Sequence, residues 1–147
     1  MSKQIKDLQI EIQSNANKFL TAVNSPEILK ELNIDRVIIT ETKRELTTQM
    51  AYYSRGRMKI EDVRKMYKAA GLYTPTDTEC KTPNTYTLQS KHIEGKALDV
   101  VPEKDGKLLW NAPLSIWNKI GEIGKSYGFI WGGDWNDWKD YPHFEVE

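Results

Sequence analysis

Apolar residues recur every three or four positions from Ile5 to Val23, at Ile5, Leu8, Ile12, Ala16, Phe19, Leu20 and Val23. This spacing lines one face of a helix and predicts an amphipathic helix over that whole stretch. Ser25-Pro26-Glu27 then supplies an N-cap, a proline at the first helical position and an early acid, so a second, short helix follows. The pattern changes at Arg36-Val37-Ile38-Ile39-Thr40, a β-branched run suited to a buried strand. Helical character returns from Glu45 to Ser54 and stops at Gly56; Ile60, Val63, Met66, Tyr67 and Ala70 mark another amphipathic helix, closed by Gly71. Residues Thr74 to Thr87 are rich in Thr, Pro, Asn and Asp without periodicity and read as loop.

Two strands, Ala97 to Val101 and Lys107 to Trp110, flank Lys104-Asp105-Gly106, where Asp-Gly predicts a hairpin turn. Pro113 opens a helix whose Ile116, Trp117, Ile120, Ile123 and Tyr127 share a face and which ends at Gly128; a last strand runs from His143 to Val146. Helices, one strand, helices, a hairpin, a helix and a strand add up to an α+β fold with a small antiparallel sheet flanked by helices. At 147 residues, with no repeat, low-complexity tract or linker, the chain reads as a single domain.

Composition narrows the function classes. Lys and Arg number 21, Asp and Glu 21, and the two signs are interspersed. No one-sided field is available for nucleic acid or an anionic membrane, so a neutral or mixed-charge partner is expected. No apolar run approaches the roughly 20 residues of a spanning helix, and the first residues lack the apolar core of an export signal, so membrane insertion is not expected. The lone Cys80 forms no intramolecular disulfide, which suits synthesis in a reducing compartment, and it is read as an inert thiol.

The chemistry concentrates around the two histidines. His92 lies in Ser90-Lys91-His92-Ile93-Glu94-Gly95-Lys96-Ala97-Leu98-Asp99, and His143 in Asp140-Tyr141-Pro142-His143-Phe144-Glu145. Gly95, between His92 and Asp99, permits a backbone bend that brings both side chains to one point. With His143 arriving from the last strand, two imidazoles and a carboxylate can hold zinc and leave a fourth position open to water, which marks a catalytic site. Asp140, three residues before His143 and restrained by Pro142, is the candidate proton shuttle. Arg44 follows a strand at a loop, where it is either an oxyanion- or carboxylate-binding guanidinium or an ordinary solvated cation. Trp131, Trp135, Trp138 and Tyr141 read as core, as cleft wall, or as both.

Ser90-x-His92-x-x-Gly95-x-Ala97-x-Asp99 followed by Asp140-x-x-His143 resembles the M15 family of zinc peptidoglycan peptidases. Trp131-Gly132-Gly133-Asp134-Trp135 leading into Asp140 is most similar to the L-alanyl-D-glutamate endopeptidase branch found as phage endolysins. The likeness runs from about Ile34 to Glu147 and includes Ile38 to Arg44 and Gln49 to Arg57; residues 1–33 read as helices packed on that core. It implies His92, Asp99 and His143 as zinc ligands, Asp140 as catalytic acid/base, and Arg44 as the cation that steadies substrate or oxyanion. Ser90 is implied to support the site, with Ser90, Gln49 and Trp135 as substrate contacts.

Two positions depart from the family pattern. Lys43 precedes Arg44 where an aromatic is common, and Asp140 replaces the glutamate of the carboxypeptidase branch, which favours an endopeptidase. The expectation is therefore a monomeric zinc hydrolase of bacterial peptidoglycan, made in the cytoplasm and reaching the wall after release. A D-alanyl-D-alanine carboxypeptidase or dipeptidase on the same metal site, and a non-catalytic wall-binding module stabilised by zinc, are the alternatives.

Overall fold

Arg36–Glu41 (β1) and Ala97–Lys104 (β2) form the longest strand pair of an antiparallel sheet in a computed structural model that describes residues 2–147. The sheet order is β1-β2-β5-β4, with β5 His143–Glu145 and β4 Ile130–Trp131; the short β3, Lys107–Leu108, adds to β2. Its helices are α1 Ile10–Val23, α2 Pro26–Leu32, α3 Leu46–Ser54, α4 Ile60–Ala69, α5 Asp77–Lys81 and α6 Leu114–Ser126. The fold is α+β, with a small antiparallel sheet, as the hydrophobic pattern predicts.

One face of the sheet packs on α1 and α6. Ile12, Ala16, Phe19 and Val23 are the buried stripe of α1, and Trp117 and Ile120 that of α6. They meet Leu98, Val100, Val101 and Phe144 from the strands. The Phe19 ring packs tilted against Phe144, with centroids 4.7 Å apart, and against Phe129 at 5.7 Å, so the N-terminal helix supplies core that the sheet requires. Gly124 of α6 sits where a Cβ would come within 2.3 Å of the Phe144 ring, which is why that helix approaches β5 so closely. A second, smaller cluster joins Ala51, Val63, Tyr67 and Cys80 of α3, α4 and α5, and it buries the lone thiol.

The structure differs from the sequence pattern at several places. The first helix begins at Ile10 rather than Ile5: residues Ile5–Asp7 form one 3-10 turn, and Leu8 and Gln9 are extended. Periodicity persists through the break because Leu8 is buried all the same. The diversion has a cause, since the Gln9 amide donates to the Gly95 carbonyl (2.9 Å) and its side chain to the Glu94 carbonyl (2.8 Å). Further upstream, the Ser2 amide donates to Lys43 O and accepts, through its own carbonyl, from the Thr42 amide. The chain start thus laces two loops that border the site.

Within the expected loop 74–87 lies α5, started by a capping box in which Thr76 and Glu79 satisfy each other's backbone amides. The Asp105-Gly106 turn is as expected, with φ of 52° and 75°, the pair of positive values a tight hairpin needs. Its second strand is shorter than the apolar run, ending at Leu108. Pro113 is the N-cap of α6 rather than its first residue. The pattern also misses β4 and the following 3-10 turn Gly132–Asp134, because two strand residues are too few to show an alternation.

Candidate metal centre and catalytic cleft

Strand register brings the site together. Asp99 on β2 pairs directly with His143 on β5, and on its other side with Glu41 on β1. Directly opposite residues share a face with Cβ atoms about 4.5–5.5 Å apart. Glu41 reaches that register through a bulge: Ile39 pairs with Val100 and Glu41 with Asp99, so Thr40 is the extra residue. Glu145, two positions beyond His143, lies on the same face.

His92 arrives from the turn that precedes β2. The Ser90 hydroxyl accepts from the His92 amide (3.2 Å), Lys96 N donates to Lys91 O (2.9 Å), and Gly95 takes φ 71°, a left-handed conformation that strains other residues. A Cβ at Gly95 would also stand 3.3 Å from Gln9 N. The turn is joined to the end of β1 by Arg44 N donating to His92 O (3.0 Å).

His92, Asp99 and His143 each present one donor atom, all within 4.8 Å of one another. His92 Nε2 and His143 Nδ1 both stand 3.2 Å from Asp99 Oδ1. The opposite ring nitrogens face acceptors: His92 Nδ1 lies 2.6 Å from the Thr42 carbonyl, and His143 Nε2 lies 3.3 Å from Glu145 Oε2. An imidazole that donates outward carries its lone pair inward, so two lone pairs and a carboxylate converge on one point. Two nitrogens plus one oxygen with outer partners of this kind are a donor set that fits zinc.

The charges respond accordingly. Burial pushes the Asp99 carboxyl up, but hydrogen bonding with His143 and His92 outweighs it and holds the group well below the usual carboxylate range. Burial opposes charge on His143, yet Asp99 and Glu145 raise it to about 10. Asp140 behaves oppositely: burial, then the neighbouring Asp99 charge, raise its carboxyl. Its place is set by the Gly-Gly turn. Asp140 N donates to Gly132 O (3.0 Å), and a Cβ on Gly132 would lie 2.3 Å from Asp140 O, so only glycine admits this approach.

These groups line one cleft of about 840 Å3 that also takes in Arg44, Tyr52, Arg55, Ser90, Trp110 and Trp135. Trp135 stands 5.2 Å from the His143 ring as part of the wall. Arg44 does line the cleft, but its charge is already matched: Nε and Nη2 reach the two oxygens of buried Glu41, and Nη1 donates to Gln49 Oε1 (2.6 Å). Gln49 itself is fully buried and donates onward to the Thr87 carbonyl (2.7 Å). Its position is behind the wall, where it fixes Arg44 and the 85–87 loop.

Residues 83–146 match an M15 peptidase family model described as D-alanyl-D-alanine carboxypeptidase. The chain is 33% identical over 118 residues to the peptidoglycan L-alanyl-D-glutamate endopeptidase CwlK of Bacillus subtilis, covering 75% of this chain and 60% of that protein. It is 42% identical over 60 residues to an L-alanyl-D-glutamate peptidase of Listeria phage A118, covering 40% of this chain and 21% of that one. The chain therefore spans less than two thirds of these relatives. The Serratia marcescens L-Ala D-Glu endopeptidase ChiX has the same fold, with a TM-score of 0.55 at 20% identity over 97% of this chain and 83% of that one. The M15 match takes in His92, Asp99, Asp140 and His143 but stops short of Arg44 and Gln49.

Glu41, the Thr42 carbonyl and Glu145 are the site members that the sequence reading passes over. Glu145 was findable, since strand alternation puts it on the face of His143. Glu41 was not, because strict alternation from Ile39 misses the bulge. If His143 ligates zinc, Glu145 would orient its imidazole, and a direct expectation follows. Glu145→Ala lowers zinc affinity about 10- to 100-fold in competition titration with a chromogenic chelator, while the fold, read by circular dichroism, is retained.

Proposed function

We propose that this protein is a zinc-dependent endopeptidase that hydrolyses the L-alanyl-D-glutamate amide in peptidoglycan stem peptides. The observation that carries the reading is the convergence of His92, Asp99 and His143 beside a fourth, non-ligating carboxyl, Asp140, in one cleft. The names of the Bacillus and phage relatives support the choice of bond. Zinc held by these three residues would supply Lewis acidity towards a water molecule and the scissile carbonyl.

The chain's own groups do the rest. Asp140 takes the proton of the attacking water and delivers it to the leaving nitrogen, for which a carboxyl raised by burial is suited. Asp99 and Glu145 keep His143 in one orientation, and the Thr42 carbonyl does the same for His92. Arg44, held by Glu41 and Gln49, presents its remaining N–H groups to the cleft at a fixed position, where they bind the developing oxyanion. Ser90 acts through the turn that carries His92, and Trp135 borders the bound peptide. In this reading residues 1–147 act as one peptidase domain, with 1–33 as part of its core, working as a monomer on the bacterial wall after release. None of the described helices is long and apolar enough to cross a membrane.

Digestion of purified cell walls tests the reading. New D-glutamate amino termini that vanish with a chelator and return with zinc are expected. Released D-alanine would instead identify a carboxypeptidase, the activity named in the family description. Wall binding without new amino termini would identify a binding module.

A further inference from the structure

The cations of the cleft wall are unequally committed. Arg44 is cancelled by Glu41, and Lys91 lies 3.8 Å from Glu94. Arg55 also lines the cleft, yet among the described residues no carboxylate comes within ion-pair distance of it. It is nevertheless held in place. Arg55 ends α3, and its Nε donates to the carbonyls of Glu79 (2.7 Å) and Thr82 (3.1 Å) at the end of α5. The next residue is anchored too, with Gly56 N donating to Cys80 O at 2.8 Å. The Glu79 carboxylate acts on Arg55 through space without pairing with it, and a half-buried guanidinium fixed by one edge, with no carboxylate in contact, is built to receive an anion from the cleft.

The anionic groups that share the wall are otherwise engaged. Glu41 pairs with Arg44, Glu145 faces His143, and Asp99 faces both histidines. Asp140 is the remaining carboxyl of the cleft, and burial disfavours its charge. An incoming carboxylate therefore finds in Arg55 a cleft cation that no carboxylate yet contacts.

We propose that Arg55 is a specificity-determining residue that binds the free carboxylate of the substrate's acidic residue. The inference rests on the endopeptidase reading above. A glutamate joined through its nitrogen and one carboxyl keeps the other, so the residue beyond the scissile bond carries one negative charge. Its carboxamide analogue has nearly the same shape without that charge. Arg55 then sorts substrates by charge, through a bidentate pair that forms on binding.

Two matched peptides test this, stem peptides with γ-linked L-alanyl-D-glutamate and L-alanyl-D-isoglutamine units that differ only in the free carboxylate and its carboxamide, with kcat/KM measured for each on the zinc-loaded protein. The wild type is expected to prefer the carboxylate peptide about 10- to 100-fold, the range for a charge-assisted hydrogen-bonded pair. R55Q is expected to bring that ratio towards one, chiefly through KM, and R55K to retain part of it. A role confined to holding the Glu79 and Thr82 carbonyls would lower both rates together, and that result overturns the assignment. A preference that survives in R55Q overturns it equally. Cleavage of neither peptide by the wild type overturns the endopeptidase reading and this inference with it.

Discussion

Asp140→Asn is expected to lower kcat about 100- to 10,000-fold on purified cell walls while zinc content, measured by metal analysis, stays at the wild-type level. The substitution keeps size and shape, so the Asp140 N donation to Gly132 O and the tight approach at Gly132 are preserved. What is lost is a group that can both accept and donate a proton. Burial and the Asp99 charge raise the Asp140 carboxyl, which brings it nearer the working pH and makes it a better donor to the leaving nitrogen. The same shift means that activity should rise as the pH climbs past the Asp140 pKa and its base form accumulates, and the N-variant should lack that limb. Full activity in Asp140→Asn would remove this carboxyl from the chemistry and leave the cleft without an assigned proton carrier.

The second large effect is expected at Asp99. Asp99→Ala removes the oxygen on which His92 Nε2 and His143 Nδ1 converge, each at 3.2 Å. Zinc binding should fall below detection at micromolar metal, and hydrolysis should go with it. Stability also responds, because taking away one member of a buried charged pair typically costs about 3–5 kcal/mol. The sign with pH follows from the two partners. The Asp99 carboxyl is depressed, so its contribution exists above its ordinary 3.8 and is lost as pH falls further. His143 is raised, so its contribution is full below its ordinary 6.5 and fades as pH rises through about 10. In metal-free protein the difference in Tm between wild type and variant should therefore be largest between those two ordinary values and shrink at alkaline pH. With zinc the trend reverses, since the metal displaces protons from the imidazoles and binds better as pH rises. A Tm difference independent of pH and zinc would show that Asp99 is not the hub of the site.

Much of this was legible in the chain because the site is written in local motifs. Gly95 marks the bend that turns His92 back towards Asp99, and its positive φ is what a glycine at that point announces. Asp140-x-x-His143 is a single tight turn, closed by His143 N donating to Asp140 O at 3.2 Å. The larger helices follow from apolar spacing for the same reason, as each carries its own period. The misreadings have a common origin in tertiary contacts. Leu8 keeps the helical rhythm although its backbone is extended, because Gln9 is claimed by the turn at Gly95. Gln49 is buried and bonded to Arg44 and the Thr87 carbonyl, a placement that no residue spacing announces. Arg44 shows no sign in the sequence of its pairing with Glu41, which depends on the irregularity at Thr40.

That single additional residue in β1 sets the polarity of the cleft floor. With regular pairing, Thr40 would stand beside Asp99 and Glu41 would turn to the opposite side of the sheet, towards the apolar layer. A guanidinium would then be left bare beside the three residues proposed to hold zinc, and it would repel the ion. The strand's irregularity thus works as an electrostatic spacer: under the proposed zinc chemistry it would let the metal and an arginine be near neighbours, by inserting a counter-charge that an unbroken ladder has no room to deliver.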